Sequence, residues 1–264
     1  MVAAETGRKW TVMGRVSGLF ADGVHLVRNG DRLAALKVRT GPEWTARFAA
    51  AAPVVAALRE HGYPAPEILG TGALPADRAY SLTEWVPGET RPRGDRIRVE
   101  ALLDAASVHS QVHPAGERDW SAMVTAFLNG GVREFAFHPA LEPLARRALA
   151  LLPKPVPALP TGDFVHGDFS AANALFRNGT LRGIVDFDGF GRGTPAIDLV
   201  ALAAHTDPGL QRMIVDRAVD LVGAEVVATC LCHRILAGLA WATEYPELLD
   251  GAVEQAAALM ALIP

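Results

Sequence analysis

Hydrophobic and polar positions alternate in the first third of the chain and then change period. Residues 10–16, 23–27 and 33–38 are three β-rich runs separated by turn residues. The turn Arg28-Asn29-Gly30-Asp31 carries an Asn-Gly pair, a hairpin signal. Over 43–61, Glu43, Trp44, Phe48, Val54, Val55 and Leu58 recur at helical spacing, and Pro53 predicts a kink or split within that helix. Residues 67–70 and 78–84 predict two further strands, which run into the turn-rich joint Trp85-Val86-Pro87-Gly88-Glu89. Beyond the joint the period becomes helical: 97–113, 120–128 and 139–152 predict helices, and the proline-rich 153–160 a connector. Short strands follow at 164–165, 174–176 and 181–185, the last two turned by Asn178-Gly179. The remainder predicts helices at 195–205, 208–222, 224–243 and 246–262. The expected class is therefore α+β. Residues 1–86 would form an antiparallel β-sheet lobe with one main helix, and 87–264 a mainly helical lobe.

Composition narrows the function classes. Half of the 264 residues are hydrophobic and 20% are charged, which suits a packed globular chain. The net charge of −4 gives no case for a nucleic-acid partner. No uncharged apolar run of membrane-spanning length occurs, and the N-terminus lacks an apolar signal core, so no membrane association and a cytoplasmic location are expected. The two cysteines, Cys230 and Cys232, sit in an apolar helical pattern and read as buried thiols. Residues 1–94 carry 12 basic against 9 acidic residues, and 190–264 carry 4 against 9. Such a gradient suits a polyanion at the front and a cationic substrate at the back, or is simply solvated surface.

The densest chemistry lies in 165–198, VHGDFSAANALFRNGTLRGIVDFDGFGRGTPAID. Phosphoryl transfer needs a carboxylate near the accepting hydroxyl and oxygen ligands for Mg2+ on the nucleotide phosphates. Asp168 suits the first task, and Asn173 with Asp186 the second. Two earlier features bear on the same chemistry. The loop 17–23 has Gly18 and Gly23 near its ends, which lets backbone N–H groups approach phosphates or makes one more hairpin turn. Lys37 stands among apolar neighbours in a strand, as a phosphate-holding lysine does or as an edge lysine would.

Taken in order, these motifs resemble the aminoglycoside phosphotransferase family, a group of small-molecule kinases that includes choline kinase and shares a bilobal, protein-kinase-like fold. The catalytic signature H-x-D-x-x-x-x-N is matched by His166-Gly167-Asp168-Phe169-Ser170-Ala171-Ala172-Asn173. The metal signature is matched by Ile184-Val185-Asp186-Phe187, and a later element by Gly193-Thr194-Pro195-Ala196-Ile197-Asp198-Leu199. The resemblance implies a catalytic Asp168, Mg2+ ligands Asn173 and Asp186, a phosphate-binding Lys37, and hinge positions Thr83 and Trp85 whose backbone holds an adenine edge, with Gly18 in the phosphate loop. It implies structural roles for His166 and Asp198, the latter bracing the catalytic loop through backbone N–H groups. ATP or GTP with Mg2+ is the implied cofactor set. The implied activity is O-phosphorylation of a small molecule, foremost an aminoglycoside or other antibiotic. A metabolic kinase for an amino alcohol, sugar or nucleoside-like compound is the alternative, as is a nucleotide-binding pseudokinase.

Two departures stand out. The family's helix glutamate that pairs with the strand lysine is missing, since 50–52 are all alanine, and Glu43 is the expected substitute. Gly193-Thr194-Pro195 stands where relatives have Gly-Asp-Pro. For the substrate, Asp188, Glu244, Glu247 and Asp250 are the candidate acids, with Glu254 beside them. The last three acids recur at i+3 and i+4 and would bind cationic groups or form a solvated face. Trp241 and Tyr245 would stack on substrate or pack in the core. A monomer or weak dimer is expected.

Overall fold

The computed structural model describes residues 9–16, 23–91, 93–115 and 118–264. It groups into two compact units that are discontinuous in sequence. One comprises Met1–Thr90 and Ala174–Asp188, the other Arg91–Asn173 and Gly189–Pro264.

The first unit is built on a five-stranded antiparallel sheet in the order β1-β2-β3-β5-β4. Its strands are β1 (Thr11–Val16), β2 (Val24–Asn29), β3 (Arg32–Thr40), β4 (Ile68–Leu74) and β5 (Arg78–Glu84). Gly30, at φ 58°, makes the tight β2–β3 turn that the Asn-Gly pair announced. Val27, Ala34, Leu36, Tyr80 and Leu82 form the core of the sheet, with Trp10 and Leu69 packed against it.

Helix α1 (Glu43–Glu60) packs on β4 and β5 through Phe48, Val54, Val55 and Leu58. It runs unbroken through Pro53, so the chain does not split there. Pro53 is exposed, and so is Ala49, whose carbonyl the missing N–H leaves without its helical donor. That carbonyl can bond water, so the cost of the proline falls on the solvent side while the apolar side stays packed. The same unit contains the hairpin β7 (Ala174–Arg177) and β8 (Thr180–Ile184). Asn178 (φ 52°) and Gly179 (φ 75°) supply the two consecutive positive φ angles of its turn. Paired bonds between Glu89 and Phe176, each 2.9 Å, and Ile184 N–H to Pro64 O at 2.6 Å tie it to its unit.

The second unit is mainly helical: α2 (Arg96–Ala106), α3 (Trp120–Ala126), α4 (Val132–Glu134), α5 (Glu142–Leu151), α6 (Ala196–Ala204), α7 (Pro208–Val222), α8 (Ala224–Glu244) and α9 (Leu249–Met260). Between them, β6 (Asp163–Val165) pairs with β9 (Gly191–Gly193), a short strand that the sequence pattern did not predict. The helix expected over 97–113 stops at Ala106. A turn and a 3-10 segment, His109–Gln111, follow, and His109 becomes fully buried. The helix expected over 120–128 passes instead into a π-turn, Phe127–Gly131.

Helix α8 is the hub of this unit, packing on α5, α6, α7 and α9. Its 21 residues are apolar enough by length and composition alone to cross a membrane, although Glu225, Arg234 and Glu244 interrupt any long uncharged run. More than half of that apolar window is covered by the fold itself, with Leu231, Ile235 and Leu236 almost wholly buried. Its apolar character is that of a core helix.

Candidate active site

In the second unit, the chain leaves β6 at Val165 and turns through His166, Gly167 and Asp168. Gly167 has φ +84°, and a Cβ there would lie 2.5 Å from Gly189 O and 2.7 Å from the Trp120 ring, so only glycine fits. Asp198, wholly buried in the first turn of α6, holds the turn from below. One carboxylate oxygen accepts from His166 N–H at 2.6 Å, and the other from Gly167 N–H at 3.0 Å. His109 Nδ1 stands 3.2 Å from the same carboxylate, its ring edge-on to Phe164 and Phe169. His166 Nδ1 accepts from Asp168 N–H at 3.3 Å, which places any proton of the neutral ring on Nε2. Asp168 is exposed at the tip, and the Asn173 amide N–H2 donates both to its carboxylate (2.7 Å) and to its backbone carbonyl (2.8 Å). A clamp made of a buried carboxylate thus presents one oriented, accessible carboxylate.

The first unit assembles a second cluster. Lys37, on β3, extends its Nζ to 2.7 Å from Asp186 Oδ1 and 2.6 Å from Asp188 Oδ2. Arg39, two residues on along the strand, donates to Asp188 through Nε and Nη2, each at 3.3 Å. Asp186 has φ +69°, a conformation that costs a non-glycine residue energy and persists only where its surroundings impose it. These contacts correct the expectation for Glu43. Its carboxylate lies against Gly41 at the head of α1, and Lys37 draws its partners from the 186–188 segment instead. Asp188, expected at the substrate, is here an ion-pair partner of Lys37 and Arg39. Thr83 lies in β5 between Ala35 and Ile68. Trp85 N–H donates to Leu33 O at 3.4 Å, a long bond. Gly18 lies outside the described residues.

The second unit also contains a cavity of about 920 Å³ that reaches the His166–Asp168 turn at Gly167. Arg93, His205, Arg234, Glu247 and Glu254 line it, and so does Trp241, whose ring stacks on Tyr245 with centroids 4.5 Å apart. Of the expected acids, Glu247 lines the cavity, on a 3-10 turn, whereas Glu244 and Asp250 do not. Glu254, grouped with Glu247 and Asp250 by helical spacing, also lines it, from α9. Arg93, His205, Arg234 and the buried His109 were missed. They come from four separate segments, and no local pattern marks a residue whose partners lie far along the chain.

Burial pushes His205 down to about 4, and the nearby Arg234 guanidinium adds to the effect. Burial likewise takes His233 to about 4. Both are neutral near pH 7, so Arg234 Nη2 donates to His205 Nε2 at 2.8 Å. The thiols of Cys230 and Cys232 are raised by burial to about 12 and about 11 and remain protonated. The histidines make a prediction. Their folded pKa lies below the unfolded 6.5, so the unfolded chain binds more protons between pH 6.5 and 4, and stability falls as pH drops through that window. Between pH 7 and 5 each histidine is expected to remove roughly 1–2 kcal/mol. Thermal melts across that range check it: His205→Asn should flatten the decline, and an unchanged slope would refute the assignment.

Comparison with known proteins bears on these two clusters. Residues 15–225 match the model of the phosphotransferase enzyme family. No curated protein sequence matches. Among solved structures, a thermostable mutant of aminoglycoside phosphotransferase APH(4)-Ia, in ternary complex with ADP and hygromycin B, is similar at 16% identity and a TM-score of 0.71. That alignment covers 96% of this chain and 93% of the other. The macrolide 2'-phosphotransferase MphH from Brachybacterium faecium aligns at 18% identity and a TM-score of 0.66, covering 99% and 96%. An aminoglycoside-3'-phosphotransferase of type VIII aligns at 20% identity and a TM-score of 0.58, covering 88% and 93%. The fold is that of these kinase-like enzymes, and with four fifths of its length matched by the family model, the chain belongs to the phosphotransferase enzyme family.

Proposed function

We propose that this chain transfers the γ-phosphate of ATP to a hydroxyl group of a small molecule. The observation that carries this reading is the hydrogen-bonded turn around Asp168: buried Asp198 holds the backbone of His166 and Gly167, and Asn173 orients the Asp168 carboxylate. An acceptor hydroxyl set against Asp168 would give its proton to the carboxylate. As it does so, its oxygen bonds to the γ-phosphorus, and the bond from that phosphorus to the bridging oxygen of departing ADP breaks. Lys37 would exchange its two carboxylate partners for phosphate oxygens. Thr83 and Trp85 are the proposed backbone contacts for adenine, and Gly18 belongs to the proposed phosphate loop. In this reading 1–86 act as the nucleotide lobe and 87–264 as the acceptor lobe.

The donor set suits Mg2+. The Asn173 amide nitrogen is committed to Asp168, which leaves its oxygen as a ligand, and Asp186 supplies a carboxylate. Among the described residues no group of three His, Cys, Asp or Glu could hold a metal by itself. A carboxylate and an amide oxygen are each ligand types that would suit an ion carried on nucleotide phosphates. When bound, the ion would offset the charge on the phosphates.

The test is label transfer. Protein is incubated with γ-labelled ATP or GTP, Mg2+ and a panel of hydroxylated antibiotics, sugars and amino alcohols. The reading expects label in a small-molecule phosphomonoester, lost when Mg2+ is chelated. Nucleotide binding with no transfer to any acceptor would favour a scaffold instead.

A further inference from the structure

Arg234, half-buried in the wall of the cavity with its Nε shut off from solvent, has incomplete bonding. Its Nη2 donates to neutral His205, while its Nε has no hydrogen-bond partner. Among the described residues no carboxylate lies within ion-pair distance of it. Asp168, the nearest negative charge to act on it, is held by Asn173 instead. Arg93 lines the same cavity, has no carboxylate partner among the described residues, and is close enough for its charge to act on His205. Glu247 and Glu254, the acids of the cavity, are exposed, where water screens them. A guanidinium partly withdrawn from water without a counter-ion is costly, and its planar fork matches an oxyanion.

We propose that the cavity selects acceptors that carry an oxyanion, a carboxylate or a phosphate ester, seated on Arg234 with Arg93 in support, and that it disfavours polycations. The proposal rests on the phosphotransfer reading only in that Asp168 marks where the acceptor hydroxyl goes. Arg234 and Arg93 are then specificity residues, and His205, kept neutral between two guanidinium charges, fixes the Arg234 fork.

The experiment uses the full chain and a matched hexose set: glucuronate, a glucose phosphate, glucose and glucosamine. Binding is read from the fluorescence of Trp120 and Trp241, both in the cavity wall. At least one of the two anions should bind about tenfold or more tightly than glucose, with glucosamine no better than glucose. Comparing glucuronate with the phosphate tells which oxyanion fits. Arg234→Gln should erase the preference, and Arg234→Lys should keep part of it. Arg93→Gln, at an exposed position where folding is not at risk, should weaken anion binding severalfold. Absence of anion-selective binding overturns the proposal, as does a preference for glucosamine or indifference to Arg234→Gln. Label transfer separates the two readings. Anion binding through Arg234 with no phosphate transfer sinks the phosphotransfer reading alone. Transfer to cationic acceptors irrespective of Arg234 sinks this proposal alone.

Discussion

Asp168→Ala is expected to lower turnover by about a hundredfold to ten-thousandfold, the range that general-base assistance contributes, while nucleotide binding survives. The separation follows from the architecture. Lys37 and Asp186 belong to the other compact unit and are held by their own ion pair, so removing the Asp168 side chain leaves that cluster intact. Asn173 loses an acceptor but keeps the Asp168 backbone carbonyl at 2.8 Å, so the turn should hold. Steady-state kinetics alongside nucleotide titration checks this. Near-normal turnover in the variant would remove Asp168 from the chemistry.

The second large effect is expected at Asp198, and it has a different character. Its carboxylate is fully buried and accepts from two backbone N–H groups with His109 beside it. Asp198→Ala strands those donors in the interior at a cost of about 3–5 kcal/mol. For a chain of this size that corresponds to a fall in Tm of roughly 10 °C. Turnover should fall as well, because the turn carrying Asp168 is no longer held. Asp198→Asn keeps one acceptor oxygen and should lose less on both measures. A calorimetric scan showing Asp198→Ala as stable as the parent would contradict the clamp.

These two carboxylates also show what could be read from the sequence. Asp168, Asn173, Asp186 and Asp198 fall within 31 residues, close enough in the chain for motifs to bring them to notice. The Asn178-Gly179 turn and the switch from strand to helical period were legible for the same reason: each rests on neighbours in the chain. The partners of Lys37 were not. They lie 149 and 151 positions away, and an expectation built on the nearest acid picked Glu43. His109 and the Arg93–His205–Arg234 group were hidden for the same cause. Pro53 leaves its helix unsplit because a proline's cost depends on which side of the helix its freed carbonyl faces, and solvent covers that side here. Helical spacing placed Glu247, Asp250 and Glu254 in one segment, but which of them meet the cavity depends on how that segment packs on the rest of its unit.

The central claim is transfer of a terminal phosphate to a hydroxyl, and it is tested most directly by product analysis. Wild-type protein, Mg2+, γ-labelled ATP and the acceptor panel are incubated together, and the small-molecule fraction is examined for a labelled phosphomonoester. The account predicts such a product with the wild-type protein and its loss with Asp168→Ala. Saturable nucleotide binding with label appearing only as inorganic phosphate, equally in both proteins, would contradict it.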